Sequence, residues 1–271
     1  MPRNLNLSNR RMRTRMSGGV GGAARSLSRL DRWWTLRTEE PVTRSISDVG
    51  YWSGLAAFVA AVAYDVVQIL QVTGMLRFPA DEILIYGTSL CIVVPFILEM
   101  LAFHHVTTPD KRFWTHASLV FTIVYAIFVS SNYVVQLATV IPAKLRGASE
   151  AIQVLEQTPH SLFWDYDAMG YISMGLACLL AVPAVNNVGF ERWVRRSLIA
   201  NALVTPLISI VYFYPTFSTR LLFLGFPWAI TAPLFMLMLA VMLRKRQGTS
   251  AIAVQHPLAT GAGSTIVSRR G

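Results

Sequence analysis

The sequence is short of almost everything from which soluble enzymes are built. Of its 271 residues only 14 are acidic, five are histidine, three are lysine and two are cysteine. Both cysteines, Cys91 and Cys178, fall inside apolar runs and read as small buried residues, so no disulfide framework or thiolate metal site is encoded. The histidines are scattered, which excludes a histidine-rich di-iron centre. No two face each other from separate span interiors, which disfavours a b-type haem. His104-His105 resembles a ligand pair, but adjacent helical residues point to different sides, and with His116 they read as interfacial histidines. Lys111, Lys144 and Lys245 all lie outside the apolar runs, which argues against a retinal Schiff base. The segment Gly261-Ala-Gly-Ser-Thr lacks the lysine of a phosphate loop, so no ATP motor is present. Gly-x-Ser-x-Gly and His-Glu-x-x-His are absent as well. No cofactor and no metal are expected, and an enzyme would have to work with acidic residues alone.

What the chain has instead is apolar length. Hydrophobic residues make up 54% and the mean hydropathy is +0.47. Six stretches approach the ~20 residues that a bilayer crossing needs: about 50–72, 83–103, 113–141, 168–185, 193–214 and 221–243. They predict an all-α polytopic integral membrane protein, a six-transmembrane-helix bundle over residues 50–243. Span three is long enough to tilt or project.

The net charge of +10 comes from 21 arginines and three lysines against the 14 acids. In a soluble protein this would suggest nucleic acid. Here basic residues flank spans, where they set topology and meet anionic headgroups, so the expected partner is the bilayer and not nucleic acid. With both tails cytoplasmic, inside segments carry 20 of the 24 basic residues, leaving Arg77, Lys144, Arg146 and Arg220 outside beside six acids. An even number of spans also puts the tails on one side. The arginine bias is compatible with a high-GC genome, which points to a bacterial inner (plasma) membrane, with an organelle membrane as the alternative.

Residues 1–49 form a basic tail expected to be mostly disordered, with an interfacial segment near 31–47 carrying Trp33, Trp34, Arg37 and Arg44. Its first thirty residues hold seven arginines and no acid. They read as a cytoplasmic tail, as a transit peptide, or as sequence upstream of a start at Met12 or Met16. No apolar core of a secretory signal follows. Residues 244–271 are expected to be a disordered cytoplasmic tail. In the largest outside loop, 142–167, residues 147–157 have an amphipathic pattern with Ala148, Ile152 and Leu155 on one side. His160-Ser-Leu-Phe-Trp-Asp-Tyr-Asp167 then reads as an interface belt with an N-terminal cap ahead of span four.

Polarity inside the spans is sparse and therefore informative. A charged group in lipid costs about 2.5–3.5 kcal/mol on insertion scales, so Asp65 is expected to face the bundle. Ala57, Ala61, Asp65, Gln68 and Val72 share one helical face. Glu99 lies on a stripe with Thr88, Cys91 and Pro95. Asn132 and Gln136 share a face near the outer end of span three. The candidate ligand or ion path is Asp65, Gln68, Glu99, Asn132 and Gln136, with Asp167 and Tyr171 as outer-face contributors. Catalytic residues are not identifiable. Apart from Arg195 and Arg196 at the start of span five, no Lys or Arg lies within a span, so each acid needs a proton, hydrogen bonds from amides and tyrosines, or a bound cation. The opposing reading is interhelical glue.

Three functions fit. The first is a small transporter or ligand-binding membrane subunit with a polar, proton- or cation-linked interior. The second is an accessory or scaffold protein, or a homo-oligomer, packing against its partner through small-residue faces of span one and span four (Ser173, Ala177, Ala181). The third is an intramembrane lipid enzyme using Asp165 and Asp167.

Overall fold

The computed structural model describes the backbone of residues 23–148 and 150–255, and side chains for residues 45–148, 150 and 152–246. The disorder expected of 1–22 and 256–271 lies outside the described residues. The chain divides into two compact units, 1–42 and 43–271. In the first, residues 23–42 are α-helical.

The second unit is a bundle of six helices long and apolar enough to cross a membrane. They belong to α1 (Ala23–Val72), α2 (Ala80–Val106), α3 (Arg112–Val135), α5 (Leu162–Ala181), α6 (Glu191–Phe213) and α7 (Leu222–Gln255). Among the described residues there is no strand. The α3 span runs on through a π-helical stretch, Gln136–Val140, into the short α4 (Ile141–Leu145). The apolar segment over Pro109–Leu145 is 37 residues, about 55 Å at 1.5 Å per residue, well beyond a ~30 Å hydrocarbon core.

α5 is the centre. Half or more of its span is enclosed, 61% against 28% for α1, and it packs on α3 and α6 while α2 lies beyond α3 and α7 beyond α6. Lipid removes the usual hydrophobic drive between helices, so small residues that permit close approach decide the packing. Gly175 shows this: a Cβ there would lie 1.8 Å from Thr205 Oγ1 of α6. Ser118 of α3 donates to the Ala177 carbonyl of α5 at 2.6 Å. Phe96 of α2 closes the ring, with its centroid 5.6 Å from Tyr125 on α3 and 5.6 Å from Phe235 on α7. α1 fits between α2 and α7, where a Cβ on Gly50 would strike Ala102 and Leu243.

The outside of the bundle is apolar: Val59 and Val66 on α1, Ile127 on α3, Leu203 on α6, Phe223 and Ile230 on α7 are all exposed. The inside holds buried Glu99, Asn132, Gln136, Asp167 and Asn201. Such an inverted distribution suits a lipid solvent, in which every polar group must be satisfied internally. One end, the loop end, carries the α1–α2 turn, the 146–161 loop and the α6–α7 connection. The other, the tail end, carries the α2–α3 and α5–α6 connections and the start and finish of the bundle.

The start of α5 departs from expectation. Ser161, not an aspartate, caps it, its Oγ accepting from the Trp164 amide at 3.2 Å. The helix therefore starts at Leu162, and Asp167 falls in its second turn, facing the core. Hydropathy placed the start late because Trp164-Asp-Tyr-Asp is not apolar, whereas a cap needs only a side-chain oxygen in extended backbone. The amphipathic segment expected over 147–157 is a 3₁₀ turn, Glu150–Leu155; Ile152 is buried, as expected, but Ala148 is exposed.

Candidate functional site

Two polar regions and one isolated acid occupy the interior. At the loop end, Asp167 is 4% exposed. Its Oδ1 accepts from the Tyr133 hydroxyl of α3 at 2.6 Å, and its Oδ2 accepts from the Tyr212 hydroxyl of α6. Three helices are thus tied through one carboxyl group. Tyr86 stacks 5.2 Å from Tyr133, and Trp164 packs 4.5 Å from Tyr212 while donating its indole N–H to the Tyr212 carbonyl at 3.2 Å. The Tyr64 and Tyr171 hydroxyls are 3.1 Å apart, linking α1 to α5.

Asn132 and Gln136 belong to the same end but serve the loop. Asn132 Nδ2 donates to Gln157 Oε1 at 3.1 Å and to the Phe163 carbonyl at 3.2 Å. Gln136 Nε2 donates to the Leu155 carbonyl at 2.7 Å. The π-helical stretch begins at Gln136, and Ile141 N–H reaches back five residues to its carbonyl. Such stretches re-aim side chains within a helix. Lys144 adds an ion pair to Glu82 at 3.1 Å and stands 4.0 Å from Glu156.

Beside the Asp167 cluster, α1, α6 and α7 enclose a cavity of about 270 Å³. Asp65 and Gln68 border it from α1 and Thr73 from the turn that follows, Tyr171 and Tyr212 from behind, and Trp228 and Phe226 from α7. Two atoms on this wall are buried without a hydrogen-bond partner: Asp65 Oδ1 and Trp228 Nε1. Arg77 and Arg220 are exposed and do not border the cavity. The structure thus brings Asp65, Gln68 and Tyr171 together at a cavity and separates them from Asn132 and Gln136, which pin the loop.

Glu99 stands apart from both, fully buried. Apart from the backbone amide of Ala240 facing it, neither carboxyl oxygen has a partner. Gly54 of α1 makes the space: a Cβ there would lie 2.3 Å from Glu99 Oε1 and 2.7 Å from the Ala240 Cβ. Nearby polarity is turned elsewhere: Asn201 donates to Cys178 Sγ at 3.3 Å and accepts from Thr231 at 3.1 Å.

At the tail end His104 Nδ1 is 2.9 Å from Thr115 Oγ1, and its ring lies 5.9 Å from His105 and 5.6 Å from His116. Among the described residues no three His, Cys, Asp or Glu side chains gather as a metal site would require.

Two observations bear on the residues named for the other readings. The small-residue faces meant for a partner are spent within the chain: Ala57, Ala61, Ala177 and Ala181 are fully buried and Ser173 nearly so. Asp165 is exposed while Asp167 is buried, so the two do not form a joint acid pair at a headgroup surface. Sequence reasoning did not single out Tyr212 or Trp228. The available signal was the loop-ward placement of Tyr64, Tyr86, Tyr133, Tyr171 and Tyr212 in five different spans.

Six apolar helices around a polar interior define an integral, multi-pass membrane protein. No protein-family model, curated protein or solved structure matches this chain.

Proposed function

We propose that this chain is a small membrane transporter or ligand-binding membrane subunit whose cargo meets Asp65 in the cavity between α1, α6 and α7. The observation that carries this reading is a shielded carboxyl oxygen with no hydrogen-bond partner beside a cavity of about 270 Å³. Unpaired polar atoms inside a membrane protein are costly, and a ligand, ion or proton that satisfies one gains that energy. Glu99, in the tail-end half, is a second unsatisfied acid and serves as an inner relay or gate. The basic bias favours cytoplasmic tails, so the cavity opens toward the opposite face, in a bacterial plasma membrane on the composition argument.

The test is thermal unfolding of the purified protein in detergent, wild type against Asp65→Asn, across about pH 5 to 8, the range of maximal stability for most proteins. The expected result is a gap between the two melting curves that changes with pH, because only wild type exchanges a proton at that position. A constant gap across the range overturns Asp65 as a proton- or cation-linked site.

A further inference from the structure

Resting on the Asp65 site just proposed, we infer that its ligand is a lipophilic organic ammonium, a monovalent cation with an apolar or aromatic body and an acceptor oxygen. The charge on the wall sets the sign. Asp65 is the only acid among the sixteen residues bordering the cavity, and none of them is Lys, Arg or His. A carboxylate or phosphate entering there would face Asp65 with no counter-charge, which removes acids, nucleotides and phospholipid headgroups from consideration.

The rest of the wall sets the body. Nine of the sixteen residues carry no polar side-chain atom, and five are aromatic: Tyr171, Tyr212, Phe223, Phe226 and Trp228. The two tyrosine hydroxyls are engaged behind the wall, with Tyr64 and Asp167, so the tyrosines offer ring to the cavity. Tyr171 is fixed edge-on against Trp228 at 4.9 Å and 85°. Preordered aromatic faces beside one carboxylate attract an ammonium through both its charge and its alkyl groups. A bare metal ion gains less, because inorganic cations need about six oxygens and, apart from the engaged tyrosines, only Asp65, Gln68, Thr73 and Thr219 bring side-chain oxygens to this wall. Trp228 Nε1, buried and unpartnered, has nothing to gain from an ammonium but would donate to an ether or hydroxyl oxygen on the same molecule. A volume of about 270 Å³ lies near the lower limit of ~300 Å³ for small-molecule pockets, which suits a single ring with a short amine arm.

The experiment is calorimetric titration of the full chain in detergent with three near-isosteric probes: 2-phenoxyethylamine, 2-phenoxyethanol and phenoxyacetate. Sodium chloride titrated alone serves as the inorganic arm, and dodecylamine in lipid nanodiscs distinguishes an amine drawn from the bilayer from one drawn from water. The amine is expected to bind wild type about tenfold or more tighter than the alcohol, the margin of a charge-assisted over a neutral hydrogen bond, with the acid not binding. Asp65→Asn should lose that margin, and Ala229→Phe, which fills the cavity without touching the charge, should lose both the amine and the alcohol. The wild-type ranking stands even if a variant does not fold. Alcohol or acid binding as well as the amine, or a sodium effect with no amine binding, overturns the ligand class and leaves the Asp65 site intact. Amine binding unchanged in both variants overturns the site as well.

Discussion

Asp167 and Glu99 are both carboxyl groups buried in the same bundle, and they are held in opposite ways. Asp167 accepts from hydroxyls on two other helices. Glu99 has no side-chain donor at all and sits against Gly54 and Ala240. Burial alone therefore says nothing about what a membrane acid does. A satisfied acid is part of the scaffold, since removing it orphans its partners, whereas an unsatisfied one is a cost that the fold carries. The Asp65 wall, half-buried and with one bare oxygen, belongs with Glu99 rather than with Asp167.

The comparison breaks most visibly at Asp167. Asp167→Leu leaves the Tyr133 and Tyr212 hydroxyls without an acceptor at about 1–3 kcal/mol each, so a combined loss of roughly 2–6 kcal/mol is expected in reversible detergent unfolding. Asp167→Asn, which keeps one acceptor, should lose less than half of that. If Asp167→Leu is tolerated, the tyrosine cluster is not what joins α3, α5 and α6.

Gly54→Ala is expected next. The added Cβ would meet Glu99 Oε1 and Ala240 Cβ, both under 3 Å, and overpacking of this kind costs about 1–3 kcal/mol. Because one of the two obstacles is a side chain of the acid, the double variant Gly54→Ala/Glu99→Ala should recover part of the loss. Strict additivity in that cycle would show that Ala240 alone is the barrier.

Glu99→Met should have the opposite sign from Asp167→Leu. Replacing buried ionisable groups by apolar side chains of similar volume is often neutral or stabilising, so stability is expected to hold or rise by about 1 kcal/mol, while any pH-linked activity falls. A loss above about 2 kcal/mol would mean that Glu99 has partners that matter, and the contrast with Asp167 would collapse.

The architecture was legible because its signal is long. Each of the six spans overlaps its expected window, since twenty apolar residues leave no alternative in lipid. Local chemistry was less so. The start of α5 depended on one serine, and hydropathy hides the cap that a short polar segment supplies. Membership of the cavity was half legible: the face of Ala57, Ala61 and Asp65 follows from helical periodicity, but which helices stand opposite is a packing outcome. That is why Asn132 and Gln136, similar in depth to Asp65 by residue count, turned out to bond the loop, and why Tyr212 and Trp228 escaped notice.

The smallest expected effect tests that division of labour. Gln136 Nε2 donates to the Leu155 carbonyl at 2.7 Å and, at 3.4 Å, to Asn132 Oδ1, so Gln136→Ala removes both bonds and leaves a part-buried carbonyl unpaired, a loss of about 1 kcal/mol. Global unfolding should barely register it. Its effect belongs to the loop, whose segment 150–157 is tied down by Gln136, Asn132, the buried Ile152 and the Lys144–Glu156 approach. Limited proteolysis in the loop should therefore speed up in Gln136→Ala, and more so in Gln136→Ala/Asn132→Ala, while ligand affinity at Asp65 stays as in wild type. If instead affinity drops with cleavage unchanged, Gln136 acts on the cavity and the two polar regions at the loop end are one.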